Sequence, residues 1–316
     1  MSRRRKVLAA TMVPVVLLGV VVAAVFAWPL GEDRLRATVP VEWDFATAVA
    51  EAERVVATDS ADSRVLPQCR SQVRSHGSRT AKAVLLLHGY TDCTKQMAGL
   101  ADFLFERGYN VYVPRAPRHG FVLGEADPGL SAVDLVRYAD GAMNVVAGLG
   151  EETGVMGISG GGVLATWLAD RRPDAVERLV VMSPFYRPAA GQAPSFAIKP
   201  LTLLFGHRLL PDRQVAGTGQ TFSGLGQYLR IAANVDDGAA NENLRSVGAV
   251  VSLGDDQIDR ELAFQRAGRL AAANGLTPGE LTLDATIGHD VVEATAPGVA
   301  GRTDRLYPDY LRLYEG

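Results

Sequence analysis

Six short apolar runs alternate with helical ones along most of this chain, and that alternation restricts its possible folds more than any other feature. AVLLLHG, YNVYVPR, GVMGIS, RLVVMSP, GAVVSL and LTLDA read as buried strands bounded by glycine or proline. QMAGLADFLFERG, SAVDLVRYADGAMNVVAGLG, the run after Ser159 and DRELAFQRAGRLAAANG lie between them with helical spacing of apolar residues. Strands joined by helices pair in parallel and are covered on both faces, so the expected class is α/β with a mostly parallel, doubly wound sheet. Residues 188–246 break the rhythm. They hold the apolar stretch SFAIKPLTLLFGHRLL where one crossover helix would suffice, and read as a helical lid insertion.

An amphipathic helix is expected over residues 44–58 and a polar, turn-rich segment over 59–81. The predicted organisation is a membrane anchor at 1–29, an extracytoplasmic segment at 30–81 and the main α/β domain at 82–316. The anchor is read from MSRRRK followed by an uninterrupted apolar run over residues 7–28, about the ~20 residues a spanning helix needs. The basic cluster would stay cytoplasmic and the body would lie outside as a single-pass membrane protein. Cleavage after Val25-Phe26-Ala27 is the alternative, giving a secreted protein. Either route exports the body, and the two cysteines, Cys69 and Cys93, are then expected to form a disulfide. A hydrophobic share of 47% supports a sizeable core, and a net charge of −3 leaves no basic field for nucleic acid.

Gly157-Ile158-Ser159-Gly160-Gly161 sits where a strand gives way to a helix and fits G-x-S-x-G, the nucleophile elbow. Gly157 and Gly161 meet the need for small residues where the turn brings backbones together. Gly160-x-Gly162-x-x-Ala165 also fits a dinucleotide fingerprint, but the next strand ends Met182-Ser183-Pro184 without the acidic residue that reading requires. A serine hydroxyl needs a base and the base a carboxylate, in the chain order Ser, acid, His. Of the five histidines only His207 and His289 follow Ser159, and His207 lies inside the insertion, so His289 is the expected base. The acid is Asp255 or Asp256, just past GAVVSL, while Asp259 suits the start of the next helix.

These motifs together resemble the α/β-hydrolases, in the branch of bacterial carboxylesterases, monoacylglycerol-lipase-like enzymes and the serine aminopeptidase family. LLLHGYTDCTKQMAGLADFLFERGYNVYVPRAPRHG, GISGGG and IGHD carry the resemblance, over roughly residues 65–295. It implies Asp255 as the acid through Asp255-Asp256-Gln257-Ile258, with Asp256 the alternative. It also implies an oxyanion hole from the backbone N–H groups of Tyr90 and Gly160, and a structural side chain at His88. His119 falls in PRHG, where relatives usually carry glycine at the position of Arg118. No cofactor or metal is expected. The reaction implied is cleavage of carboxylic esters, acyl or lipid-like, through an acyl-enzyme; peptide or amide cleavage, or a non-catalytic binding role, are the alternatives.

Overall fold

The computed structural model of the chain describes residues 3–122 and 129–316, with side chains from residue 13 onward. Its strands are β1 (Gln72–Arg74), β2 (Thr80–Leu87), β3 (Asn110–Val113), β4 (Gly150–Ile158), β5 (Arg178–Met182), β6 (Ser246–Ser252) and β7 (Gly279–Leu283). Its helices are α1 (Arg3–Ala27), α2 (Phe45–Ala61), α3 (Ala98–Phe105), α4 (Ala132–Leu149), α5 (Gly160–Arg171), α6 (Ser195–Leu204), α7 (Phe222–Ala232), α8 (Arg260–Ala273) and α9 (Thr303–Glu315).

The strands form one seven-stranded sheet in the order β1-β3-β2-β4-β5-β6-β7. Every neighbouring pair is parallel except β1 with β3, where Gln72 faces Val113. The pleat explains why the strands read as unbroken apolar runs. Leu85 and Leu87 of β2 join the core that holds Trp167 and Leu168 of α5, whereas Val84 and Leu86 join the one that holds Leu100 of α3 and Tyr310 of α9. This is the α/β-hydrolase fold, with the mostly parallel sheet expected. β1 was not foreseen: three residues are too few to show alternation, and they lie in the stretch read as turn-rich.

The anchor expected at the N-terminus is corrected. Among the described residues no helix is long and apolar enough to cross a membrane. α1 contains Pro14, and residues 7–12 of the expected span lie outside those with described side chains. The single-pass membrane placement and the membrane as partner are corrected with it. The end of α1 is instead held on the insertion, where Lys199 Nζ of α6 donates to the Phe26 carbonyl at 2.5 Å.

The chain from α1 to α2 then runs as a strap across α5 and α4. Trp167 Nε1 donates to the Leu35 carbonyl at 2.6 Å, and the Val39 and Val41 N–H groups donate to Asp140 and Asn144 of α4. Asp140 also takes a hydrogen bond from Arg172 Nη1 at 2.7 Å, and Arg172 is paired on its other side with Asp174 at 2.8 Å. Arg172 and Asp140 are both buried, so removing the cation leaves a carboxylate with its desolvation uncompensated. Arg172→Met should therefore lower unfolding free energy by about 3–5 kcal/mol in urea titrations. Arg245→Met, at an exposed arginine paired with Glu152 and Glu177, should cost less than about 1 kcal/mol. Equal losses in the two variants would refute the buried-pair account.

Candidate active site

β4 delivers the chain to Ser159 with its last residues fully buried, and α5 begins at the next residue. Ser159 has φ +54°, a left-handed backbone that non-glycine residues rarely adopt without support. The support is visible in its neighbours. A Cβ on Gly157 would lie 2.2 Å from the Gly161 carbonyl oxygen, and one on Gly161 would lie 2.2 Å from the carbonyl oxygen of Leu87. Only glycine fits at either position. The Ser159 N–H donates to Met182 O of β5 at 2.9 Å, and the Ser159 carbonyl accepts from Phe185 N at 3.1 Å, pinning the turn from both sides.

His289 and Asp255, on the loops after β7 and β6, meet at this end of the sheet. His289 Nδ1 lies 2.8 Å from Asp255 Oδ2. The second carboxylate oxygen of Asp255 accepts the Gln257 N–H at 2.9 Å. Burial raises the Asp255 pKa, but the His289 contact and the hydrogen bonds to the charged form outweigh it, and the carboxyl sits below its ordinary value. Asp256 is exposed, while Asp259 caps α8 by accepting the Leu262 N–H at 2.9 Å. His207 Nε2 lies 3.6 Å from Glu32 Oε1.

The loop after β2 passes directly over the serine: a Cβ on Gly89 would be 3.3 Å from Ser159 Cβ. Its shape depends on His88. The Ala116 N–H donates to His88 Nε2 at 3.0 Å, which leaves Nδ1 as the protonated nitrogen, donating to the Gly89 carbonyl at 2.9 Å. His119 is buried edge-on to His88, with Nδ1 2.8 Å from the Pro117 carbonyl. Arg118 before it has φ +67°, a backbone that favours glycine. The Cys69 and Cys93 sulfurs are 2.04 Å apart, placing a disulfide at the foot of the same loop. Gly160, the first residue of α5, has no intrahelical acceptor for its N–H, and its Cα packs on the Tyr228 ring.

Ser159, Gly89, Tyr90 and His289 line one cavity of about 360 Å³, roofed by Thr218 and Gln220 of the insertion. Thr218, Gln220 and Gln257 also border a second, apolar cavity of about 200 Å³, formed by side chains that include Phe185, Phe222 and Leu225. Gln96 and Asp290, to which the sequence reading gave no role, line the first cavity; only burial and hydrogen bonding single them out. Among the described residues, the group able to hold a metal ion is Asp92, Asp290 and Glu293, with ligand atoms within 4.8 Å of one another. Glu293 is already paired with Lys95 at 2.7 Å, and burial, with Asp290 and Glu293 nearby, pushes the Asp92 carboxyl up to about 6.

Burial holds His88 down at about 3 and His119 at about 4, so both rings are neutral in the folded protein at mild acidity. Unfolded histidines take up protons near pH 6.5, so between there and pH 4 the unfolded state binds more protons than the folded state. Stability should therefore fall on acidification across that window, by up to about 1.4 kcal/mol per pH unit for each ring. Urea titrations at successive pH values test this: a flat profile between pH 6.5 and 4.5 would refute it.

A model of the family described as serine aminopeptidase, S33, matches residues 78–250. No curated protein matches the sequence significantly. Among solved structures, one described under LipS and LipT, two metagenome-derived lipolytic enzymes, superposes with a TM-score of 0.58 at 19% identity, covering 78% of this chain and 98% of that one. The ferulic-acid complex of Est1E from Butyrivibrio proteoclasticus gives 0.53 at 15%, covering 77% and 94%. A soluble variant of the monoglyceride lipase of Saccharomyces cerevisiae, in complex with a substrate analogue, gives 0.53 at 13%, covering 77% and 90%. At such identities the structural matches establish the shared fold, and the family model, spanning more than half of the sequence, establishes that this chain belongs to the serine aminopeptidase, S33, family of α/β-hydrolases.

Proposed function

We propose that the chain is a serine hydrolase that cleaves carboxylic esters through an acyl-enzyme, with Ser159 as nucleophile, His289 as base and Asp255 as its orienting acid. The observation that carries this reading is the 2.8 Å contact of His289 Nδ1 with Asp255, on a histidine that shares its cavity with Ser159. An ionised Asp255 holds the proton on Nδ1 and leaves the Nε2 lone pair free to take the Ser159 proton. The serine oxygen then attacks the ester carbonyl, and the N–H groups of Tyr90 and Gly160 stabilise the oxyanion. Nε2 returns the proton to the departing alcohol, and water, activated by the same nitrogen, releases the acid. Cys69 and Cys93 brace the loop that carries Tyr90. The apolar cavity beside the catalytic one suits the acyl part of the substrate.

A second reading, hydrolysis of aminoacyl amides, is favoured by the carboxylates of Asp92 and Asp290 on the wall of the catalytic cavity, which would suit a substrate ammonium. Turnover of chromogenic acyl esters compared with aminoacyl amides separates the two.

The test of the mechanism is labelling by a fluorophosphonate probe, which reports an activated serine whatever the substrate. Wild type should label, whereas Ser159→Ala and His289→Ala should not, and each should lose on the order of 10⁴-fold in turnover while melting as wild type does. Asp255→Asn should fall by a similar order through loss of the correct tautomer, and Asp256→Asn should stay within about twofold of wild type. Near-normal turnover in Ser159→Ala would end the assignment, and a larger loss at Asp256 than at Asp255 would reassign the acid.

A further inference from the structure

Gln96 lies on a single turn of 3-10 helix, Thr94–Met97, between the loop over the serine and α3. Its side chain is buried, and its amide faces two loops at once. Oε1 accepts the Gly89 N–H at 2.8 Å, and Nε2 donates to Asp290 Oδ2 at 2.9 Å. Gly89 precedes Tyr90, whose N–H is the proposed oxyanion donor; Asp290 follows His289, the proposed base. The Asp290 carboxylate is itself anchored, since Oδ1 accepts the N–H groups of Val292 and Glu293, each at 2.9 Å. Gly89 is in turn packed against Ser159 Cβ. One amide therefore joins the loop that carries the proposed oxyanion donor, packed on Ser159, to the loop that carries the proposed base.

We infer that Gln96 is a positioning residue, whose amide sets the spacing between the oxyanion donor and the base during acyl transfer. The inference rests on the Ser159–His289–Asp255 reading. The chemistry of the position is specific. It needs an acceptor for Gly89 and a donor for a carboxylate on one short planar group, and a primary amide supplies both without a charge. Glutamate has the same shape and still accepts from Gly89, but it sets a carboxylate against Asp290, with Asp92 and Glu293 close by and Lys95 already engaged by Glu293. That repulsion acts on the two loops the amide otherwise joins.

The reciprocal change restores every bond. With Gln96→Glu and Asp290→Asn together, the new asparagine amide donates to the new glutamate, its oxygen keeps the Val292 and Glu293 N–H groups, and the pair carries the same total charge as in wild type. Steady-state ester hydrolysis is measured on the alkaline side of neutrality, where the introduced glutamate is ionised, with melting temperatures read in parallel. Gln96→Glu should lower kcat by about 10- to 100-fold with KM within about twofold, since displacement by ~1 Å can cost ~10² and a loss confined to the transition state leaves KM alone. The double variant should return to within about threefold of wild type. Wild-type kcat in Gln96→Glu, a change confined to KM, or no recovery in the double variant overturns the inference while leaving the triad intact. A wild type that neither labels with fluorophosphonate nor turns over esters overturns both. Should Gln96→Glu alone fail to fold, Asp290→Asn carries the same test: adding Gln96→Glu must raise its kcat, and no rise overturns the inference.

Discussion

The backbone crossing at Ser159 is the constraint on which the rest of the site depends. A strand that turns into a helix within one residue must bring the chain before and after the serine into contact, and here the contact is so close that Gly157 and Gly161 leave no room for a Cβ. Gly161 is pressed in its turn against the carbonyl of Leu87 at the end of β2. The elbow is thus fixed to the neighbouring strand from which the loop over the serine departs. The serine and the loop over it are set together because β2 and β4 pair in register up to Leu87 and Gly157, the two residues that flank the crossing. The strain at φ +54° is held by this packing and by the hydrogen bonds to Met182 and Phe185.

What could be read from the sequence was what is encoded locally. The apolar strands announce themselves because both faces of the sheet are buried, and the elbow because its glycines are sterically required. His289 follows from chain order, since so few histidines lie beyond Ser159. Spacing alone left Asp255 and Asp256 open, because adjacent residues on a loop differ by which way the loop turns. Burial separates them, with one carboxyl against His289 and the other in solvent. Gln96 was invisible because its two partners come from segments seven residues before and 194 residues after it, and a glutamine in DCTKQM carries no pattern. The apolar N-terminal run was read as an anchor from its continuity alone, whereas among the described residues no helix is long and apolar enough to cross a membrane.

The N-terminal segment has a part in the site that composition did not suggest. Glu32 accepts from Arg230 of α7 at 2.8 and 2.5 Å, and Asn234 just past α7 holds the Glu32 N–H and the Leu30 carbonyl. The Glu32 carboxyl is partly buried, which raises its pKa, but the arginine and His207 overcompensate and keep it below the usual range. Both side chains of this ion pair are partly buried. Combined with the backbone bonds of Asn234 it fixes the lateral position of the insertion against the strap that crosses α4.

α7 is where these influences converge. Its first turn is capped by Thr221, whose N–H donates to the Tyr90 hydroxyl at 3.3 Å, and Gly224 is close enough to that hydroxyl to exclude a side chain. Further along, Tyr228 packs on Gly160, and Leu225 and Leu229 form a wall of the apolar cavity. Its last turn ends on Glu32 through Arg230. The side chain of Tyr90 and the backbone of Gly160 therefore rest on one helix, so both backbone donors proposed for the oxyanion share one support. The depth of the apolar cavity is set by the same helix. One helix thus packs against the serine turn, the loop after β2 and the apolar cavity, and the N-terminal strap holds its far end through Glu32 and Arg230.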